Sequence, residues 1–573
     1  MASKEHVQST WVNWTRLERE SRPILVDYSG LKIRKTASEY LNGQSGYRPI
    51  VLLIAAVFFL SMLLLPLPGS LIRLVEQDNP QGYTMMAANT ETIVDSVNQR
   101  KNPRGYEALR QNGENARARG NMDTSEDVAR LAMIMLAILI VAALLWGTEA
   151  LPIAGTVSLV AVLMLTFGVL SPNEIAKAFM NDAVIFILGI LAVAVGVSKT
   201  GLDKRIGLLL LSQIKSAWSF AFIFCPILAL SSAFLSAHAL VALLVPVMMG
   251  VYKATCQAHG VERDRALAIF LFLGICFAAN IGGPGSPAAG ARNAIMIGFL
   301  ADEGFAIGFG EWMKYGLPLV PVLALTVGAY MYIRCKPKLV VKNINPSEVV
   351  RREVAKLPQF GGKEAAMTAI LCGLVLSWIM LQDTFGMGGA TIVAVCAMFI
   401  FRIVSWDDIQ EGVAFDVVGL YGAASAIAVG LAFTGAGLWL AIEATDRLPG
   451  FMSQGNGLIM AISLMTTMLT NFMSDGATVG AIGPLALPMA ELGNVSIWKL
   501  GLMVSFASSL ANVLVVGTPN NAIVFAMAKD PETGQRLLNV FDFIKYGLPL
   551  TILLLVVMWG WALFGYWSLL SWP

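Results

Sequence analysis

Long uncharged apolar runs recur between residues 50 and 570, and they leave this chain one solvent, lipid. A run of about 20 such residues spans the hydrocarbon of a bilayer as a helix. Backbone in hydrocarbon must satisfy its own polar groups, so these runs fold as helices and not as open strands. The charge content agrees: 14% of the 573 residues are charged, against about 25% in soluble domains. The chain reads as an all-α polytopic membrane protein. A net charge of +2 with no separate basic domain gives no nucleic-acid partner. The six cysteines are scattered without metal-ligand spacing, so no resident metal or other cofactor is implied.

The runs read as about eleven crossings, near 50–72, 131–146, 151–170, 183–197, 267–300, 315–333, 366–380, 390–402, 417–442, 500–527 and 546–570. Two more apolar stretches, 220–249 and 458–489, are interrupted by polar residues and read as re-entrant hairpins. The first run follows a long charged leader and is retained as a span. Basic residues orient the bundle. The leader carries Lys4, Arg16, Arg19, Arg22, Lys32, Arg34, Lys35 and Arg48, and the loop 334–363 is equally basic. An even number of crossings separates them, which puts both in the cytoplasm and the C-terminus outside. The domains expected are a cytoplasmic leader (1–49), a first transmembrane helix (50–76), an outer loop (77–127), a first transporter repeat (128–335), a cytoplasmic connector (336–364) and a second repeat (365–573).

The repeat is visible in the residues. Lys314-Tyr315-Gly316-Leu317-Pro318-Leu319 recurs as Lys545-Tyr546-Gly547-Leu548-Pro549-Leu550, and Asn293-Ala294-Ile295 recurs as Asn521-Ala522-Ile523. Ser236 precedes Pro246 by ten residues, as Ser474 precedes Pro484, and 190–202 parallels 426–438. An odd number of crossings lies between the copies, so the halves insert in opposite senses. Inverted repeats with interrupted helices at matching places mark the binding site of a carrier. The interruptions expected are at 280–287, rich in glycine and proline, and at 517–521. Unwound backbone there offers carbonyls to a hard cation, and half-helix N-termini offer partial positive charge to an anion.

Together these residues resemble the divalent-anion/sodium symporter family, also described as sodium:sulfate/dicarboxylate symporters. Trp146-Gly147-Thr148-Glu149-Ala150-Leu151-Pro152 is similar to a signature of that family, as are Ala279-Asn280-Ile281-Gly282-Gly283 and Gly517-Thr518-Pro519-Asn520-Asn521. The resemblance runs from about residue 131 to the C-terminus. It implies a scaffold domain, a moving transport domain, a homodimer and an elevator motion in the inner (plasma) membrane. It also implies sodium-coupled carriage of a small divalent anion such as a dicarboxylate or sulfate, with sodium as the coupling ion. The alternatives are a proton-coupled or exchanging organic-anion carrier, or a sodium/proton antiporter of the same superfamily. An enzyme is not expected, because no catalytic cluster is present and only His6, His238 and His259 exist.

The expected cation ligands are Ser236, Gly282, Gly283, Asn293, Ser474, Asp475, Gly517 and Asn521. The substrate is expected to meet Ala237, His238, Ser286, Arg292, Gly476, Thr478, Thr518 and Pro519. The hairpin tips depart from the family's usual Ser-Asn-Thr: here they are Ser236-Ala237-His238 and Ser474-Asp475-Gly476. Arg292 stands where the family usually has proline. His238 reads either as a neutral interior histidine or as a substrate or proton group. A bare carboxylate at Asp475 would repel a dianion, so sodium, a proton, Arg292 or His238 must neutralise it. The expectation is that Asp475 binds the coupling cation and Arg292 faces the substrate. Trp312, Trp561, Trp567 and Trp572 read as interfacial anchors, and Lys314 and Lys545 as markers of helix starts.

Overall fold

The computed structural model describes residues 48–78, 125–212, 214–341, 347–355, 357, 359–530 and 534–572. The leader up to 47, most of the loop read at 77–127, part of the connector read at 336–364, and Pro573 lie outside the described residues. Helices joined by short turns make up the fold, and eight of them are long and apolar enough to cross a membrane. The described residues contain no strand, only an isolated bridge between Lys529 and Arg536.

Helix α1 (Pro49–Leu64) starts on a proline, whose fixed φ suits the first turn. It stops at Leu64 because Pro66 and Pro68 hold the preceding residues extended. A second helix, α2 (Gly69–Asp78), follows. The first transmembrane segment read at 50–76 is therefore two helices, not one. Arg130 on α3 (Ser125–Thr148) caps the end of α1, donating from Nη1 to the carbonyls of Leu63 at 3.1 Å and Leu65 at 2.9 Å. Then come α4 (Ile153–Thr166), α5 (Pro172–Phe179), α6 (Asp182–Thr200) and α7 (Leu202–Leu211). The first hairpin is α8 (Ala217–Ser232) and α9 (Ala237–Ala258). Next are α10 (Arg265–Asn280) and α11 (Ala291–Asp302), the halves of a broken helix, then α12 (Phe309–Gly316) and α13 (Leu319–Cys335).

The connector carries α14 (Ser347–Ala355), and the second repeat opens with α15 (Gly362–Met380), α16 (Gln382–Ile400) and α17 (Trp406–Gly412). The second repeat continues with α18 (Phe415–Thr434), α19 (Ala436–Arg447), the short α20 (Gly450–Ser453), and the second hairpin, α21 (Gly455–Thr470) and α22 (Asp475–Leu492). Its broken helix is α23 (Ile497–Ala507) and α24 (Pro519–Met527), and α25 (Val540–Met558) closes the bundle. The span read at 417–442 bends at Gly435, which ends α18 in the left-handed region (φ 66) as Gly201 ends α6 (φ 78). Only glycine takes that conformation without strain.

Burial separates an interior from a lipid-facing shell. Of the apolar stretch within Arg265–Gly285 94% is buried, and of that within Gly362–Met380 only 22%. Leu53, Val57, Leu60 and Leu64 of α1 stay exposed, as apolar side chains in hydrocarbon can. The interior is built mainly from α10, α11, α22 and α23, and the repeats cross over: α9 lies on α24, and α22 lies on α11. Each hairpin's second arm thus packs against the broken helix of the opposite repeat.

Candidate functional site

Both broken helices are held open by side chains that take up the freed backbone groups. Asn293 Nδ2 donates to the carbonyls of Gly283 at 2.8 Å and Ser286 at 2.7 Å. Asn521 Nδ2 donates to those of Ala511 at 2.8 Å and Leu514 at 2.7 Å. The two amides span the same sequence distances, so Gly283 corresponds to Ala511. Their Oδ1 atoms accept from the other repeat: Ser505 Oγ on Asn293 at 2.7 Å, Asn280 Nδ2 on Asn521 at 3.2 Å. The second interruption begins at Ser508, earlier than the 517–521 read from glycine and proline. There the hairpin supplies what the helix lost: Thr470 Oγ1 bonds the carbonyl of Ser508 at 2.8 Å, and Val513 N donates to Asn471 Oδ1 at 2.8 Å. In the first repeat Ser232 Oγ bonds the carbonyl of Ala279 at 3.0 Å, and Ser286 Oγ bonds that of Ala233.

The repeated Lys-Tyr-Gly explains itself here. A Cβ on Gly316 would strike the carbonyl of Pro284, and one on Gly547 the carbonyl of Asn512. Each glycine lets the next helix touch the unwound strand. Trp312 is fully buried and donates from Nε1 to Pro284 O at 3.0 Å, and Trp567 is buried likewise, so neither is an interfacial anchor. Lys314 lies in the last turn of α12 and Lys545 inside α25, so neither marks a helix start.

The tips meet the opposite repeat at the N-termini of α11 and α24. His238 Nδ1 bonds Asn520 Oδ1 at 2.7 Å, and Arg292 Nη1 forms an ion pair with Asp475 Oδ2. Asn520 and Arg292 are equivalent, each standing one residue before its stapling asparagine. Ser236 and Ser474 cap the second arms, accepting from Ala239 N at 3.4 Å and Ala477 N at 3.3 Å, and both stay exposed. Thr478 Oγ1 returns to the carbonyl of Ser474 at 3.0 Å. Thr518 caps α24 by accepting from Asn520 N at 3.0 Å.

Of the expected residues, the structure brings His238 to the Thr518 cap through Asn520, and Arg292 to Asp475. Gly282, Gly283, Gly476 and Gly517 are buried, Pro519 is exposed and Ala237 is half-buried. Ser286 is turned into the protein, toward the first hairpin. The sequence missed a buried amide cluster: Asn280 donates to Asn512 Oδ1 at 3.1 Å and accepts from Asn520 Nδ2 at 2.8 Å. It missed Ser505 and Ser509 as well. Four buried polar atoms beside the breaks have no hydrogen-bond partner among the described residues: Arg292 Nε, Ser509 Oγ, Asn512 Nδ2 and Tyr421 Oη. A signal for the cluster existed in the spacing of asparagines at 280, 512, 520 and 521, all in polar breaks of apolar runs.

Known proteins resemble this chain in sequence and fold. The family described as "Sodium:sulfate symporter transmembrane region" matches residues 122–572. The chain is similar to the sodium-dependent high-affinity dicarboxylate transporter 3 of Caenorhabditis elegans, 27% identical over 474 residues, which cover 73% of this chain and 80% of that protein. It is similar also to the sodium-dependent dicarboxylate transporter SdcS of Staphylococcus saprophyticus, 26% identical over 431 residues, 70% of this chain and 82% of the other. Among solved structures, MtrF of Neisseria gonorrhoeae shares the fold at a TM-score of 0.50 and 14% identity, over 78% of this chain and 96% of that one. The match over 122–572, with the paired broken helices it contains, makes this chain a member of the sodium:sulfate symporter family.

Proposed function

We propose that the chain is a secondary transporter that couples the movement of a small divalent anion, a dicarboxylate or sulfate, to sodium. One observation carries the reading: each hairpin tip closes on the N-terminal end of the opposite repeat's second half-helix, His238 on Asn520 and Asp475 on Arg292. Two gates of opposite sense then face one centre, as alternating access requires. The N-terminal ends of α11 and α24 supply partial positive charge for an anion through their helix dipoles. The substrate reading keeps the tips, Thr478, Thr518 and Pro519 around that centre with Arg292 beside them. The cation reading keeps the backbone at Gly517 with the oxygen of Asn521, while Gly282, Gly283 and Asn293 belong to the half-site whose room the Arg292 guanidinium occupies. The names of the relatives support sodium and a dicarboxylate. A homodimer in the plasma membrane, with a scaffold and a moving domain drawn from the two repeats, completes the proposal.

Purified protein in liposomes, offered radiolabelled succinate or sulfate with sodium or choline outside, tests it. Uptake of one of the two anions should require sodium. Equal uptake in choline that disappears with the pH gradient would transfer the chain to proton coupling. Uptake of neither anion would refute the substrate class.

A further inference from the structure

The two pseudo-equivalent half-sites are not electrically alike. Where one repeat carries Asn520, the other carries Arg292. The Arg292 guanidinium lies over Gly283, where an added Cβ would run into it and into Ser509 Oγ. It is 7% exposed, ion-paired through Nη1 to Asp475, and has a free Nε. The corresponding level of the other half-site holds neutral amides, Asn280, Asn512, Asn520 and Asn521, bonded to one another at 2.8–3.2 Å. Its hairpin closes through a hydrogen bond with His238 and no ion pair is formed there among the described residues.

Resting on the sodium-coupled reading above, we propose that Arg292 is a built-in cation standing in for one coupling ion, so that each protomer binds one sodium, at the amide-lined half-site. Space argues for this, because the guanidinium fills the room over Gly283 that an ion would need to reach that backbone. Charge argues for it too. At a separation of about 4 Å and an effective dielectric near 20, a second positive charge weakens sodium binding by up to about a thousandfold, of which the paired Asp475 carboxylate offsets part. Asp475 then has its counter-charge within the chain, and the second hairpin closes without an ion. Sodium is left to control the first hairpin, whose tip carries no carboxylate or guanidinium of its own.

Counting 22Na+ bound at saturation to the purified full-length protein needs no knowledge of the anion. The wild type should bind one ion per protomer. Arg292→Ala and Arg292→Gln should bind two, the second appearing as its affinity rises up to a thousandfold, and Arg292→Lys should remain at one. Two ions in the wild type would overturn the inference and leave the sodium-coupled reading standing. One ion in both the wild type and a folded neutral variant would also overturn it. No sodium binding in the wild type would overturn the coupling and the inference together. The wild-type count decides by itself if neither neutral variant folds.

Discussion

Asn293 and Asn521 each place two amide hydrogens on carbonyls seven and ten residues earlier, and both side chains are wholly buried. Only a primary amide supplies two donors and an acceptor in so short a side chain. Aspartate would set a carboxylate oxygen against two carbonyls, and alanine would leave both unpaired. An unsatisfied buried group costs about 1–3 kcal/mol, so with two carbonyls left unpaired Asn293→Ala should lower stability by about 2–6 kcal/mol. Thermal unfolding in detergent, read beside uptake, checks this. Lost uptake with unchanged melting would instead return Asn293 to the pure ligand role expected from the sequence. The repeated Asn-Ala-Ile pointed to the right residues because the motif is local. It pointed to the oxygen and missed the nitrogen, because the carbonyls belong to a loop whose path is fixed by tertiary contacts. Ser236 and Ser474 show the same limit: their positions were legible, their use as helix caps was not. Asp475 and Arg292 lie 183 residues apart, and pseudo-symmetry made their meeting conceivable without dictating it.

Breaks in helices were legible only where glycine or proline announces them. The segment after Asn280 has both, and its helix ends there. The segment after Ala507 reads Ser-Ser-Leu-Ala-Asn-Val-Leu, ordinary residues in a transmembrane run, and it unwinds because Thr470, Asn471 and Asn521 take its backbone groups. The glycine of Lys-Tyr-Gly-Leu-Pro-Leu is the part of the repeat that touches this unwound strand. In Gly547→Ala the new methyl would meet the backbone at Asn512 and Val513, which cannot rotate away as a side chain could. A loss on the order of 3 kcal/mol is expected, the upper end for overpacking. Gly373 in α15 is the control: nothing lies within 4 Å of its added Cβ. Gly373→Ala should be neutral or gain about 0.5–1 kcal/mol from helix propensity. Equal unfolding midpoints for the two variants would show that the close approach at Gly547 does not constrain the unwound strand.

Across the whole molecule, loops distant in sequence sort into two ends. At one end Tyr315 Oη bonds the carbonyl of Ser571, Trp498 Nε1 bonds that of Phe305, and Lys499 lies over Trp572. At the other, Asp264 accepts from Val340 N at 2.8 Å, Arg265 pairs with Asp542 at 3.0 Å, Lys253 with Asp530 at 3.1 Å, and Arg205 with Glu364 at 2.8 Å. The expectation from the basic residues sets the loop 334–363 and the C-terminus on opposite sides of the membrane, and Val340 and Ser571 lie at opposite ends. The second end carries Lys199, Lys204, Arg205, Arg334, Lys336 and Lys338, so the positive-inside rule predicts that it faces the cytoplasm. Labelling with a membrane-impermeant thiol reagent tests the assignment, after the two exposed cysteines, Cys372 and Cys396, are replaced by serine. Ser571→Cys should react in intact cells, and Lys338→Cys only after lysis. The reverse pattern would invert the molecule while keeping its architecture. Reaction of both from the same side would contradict the sorting of the ends, and with it the inverted relation between the repeats on which a two-gated carrier depends.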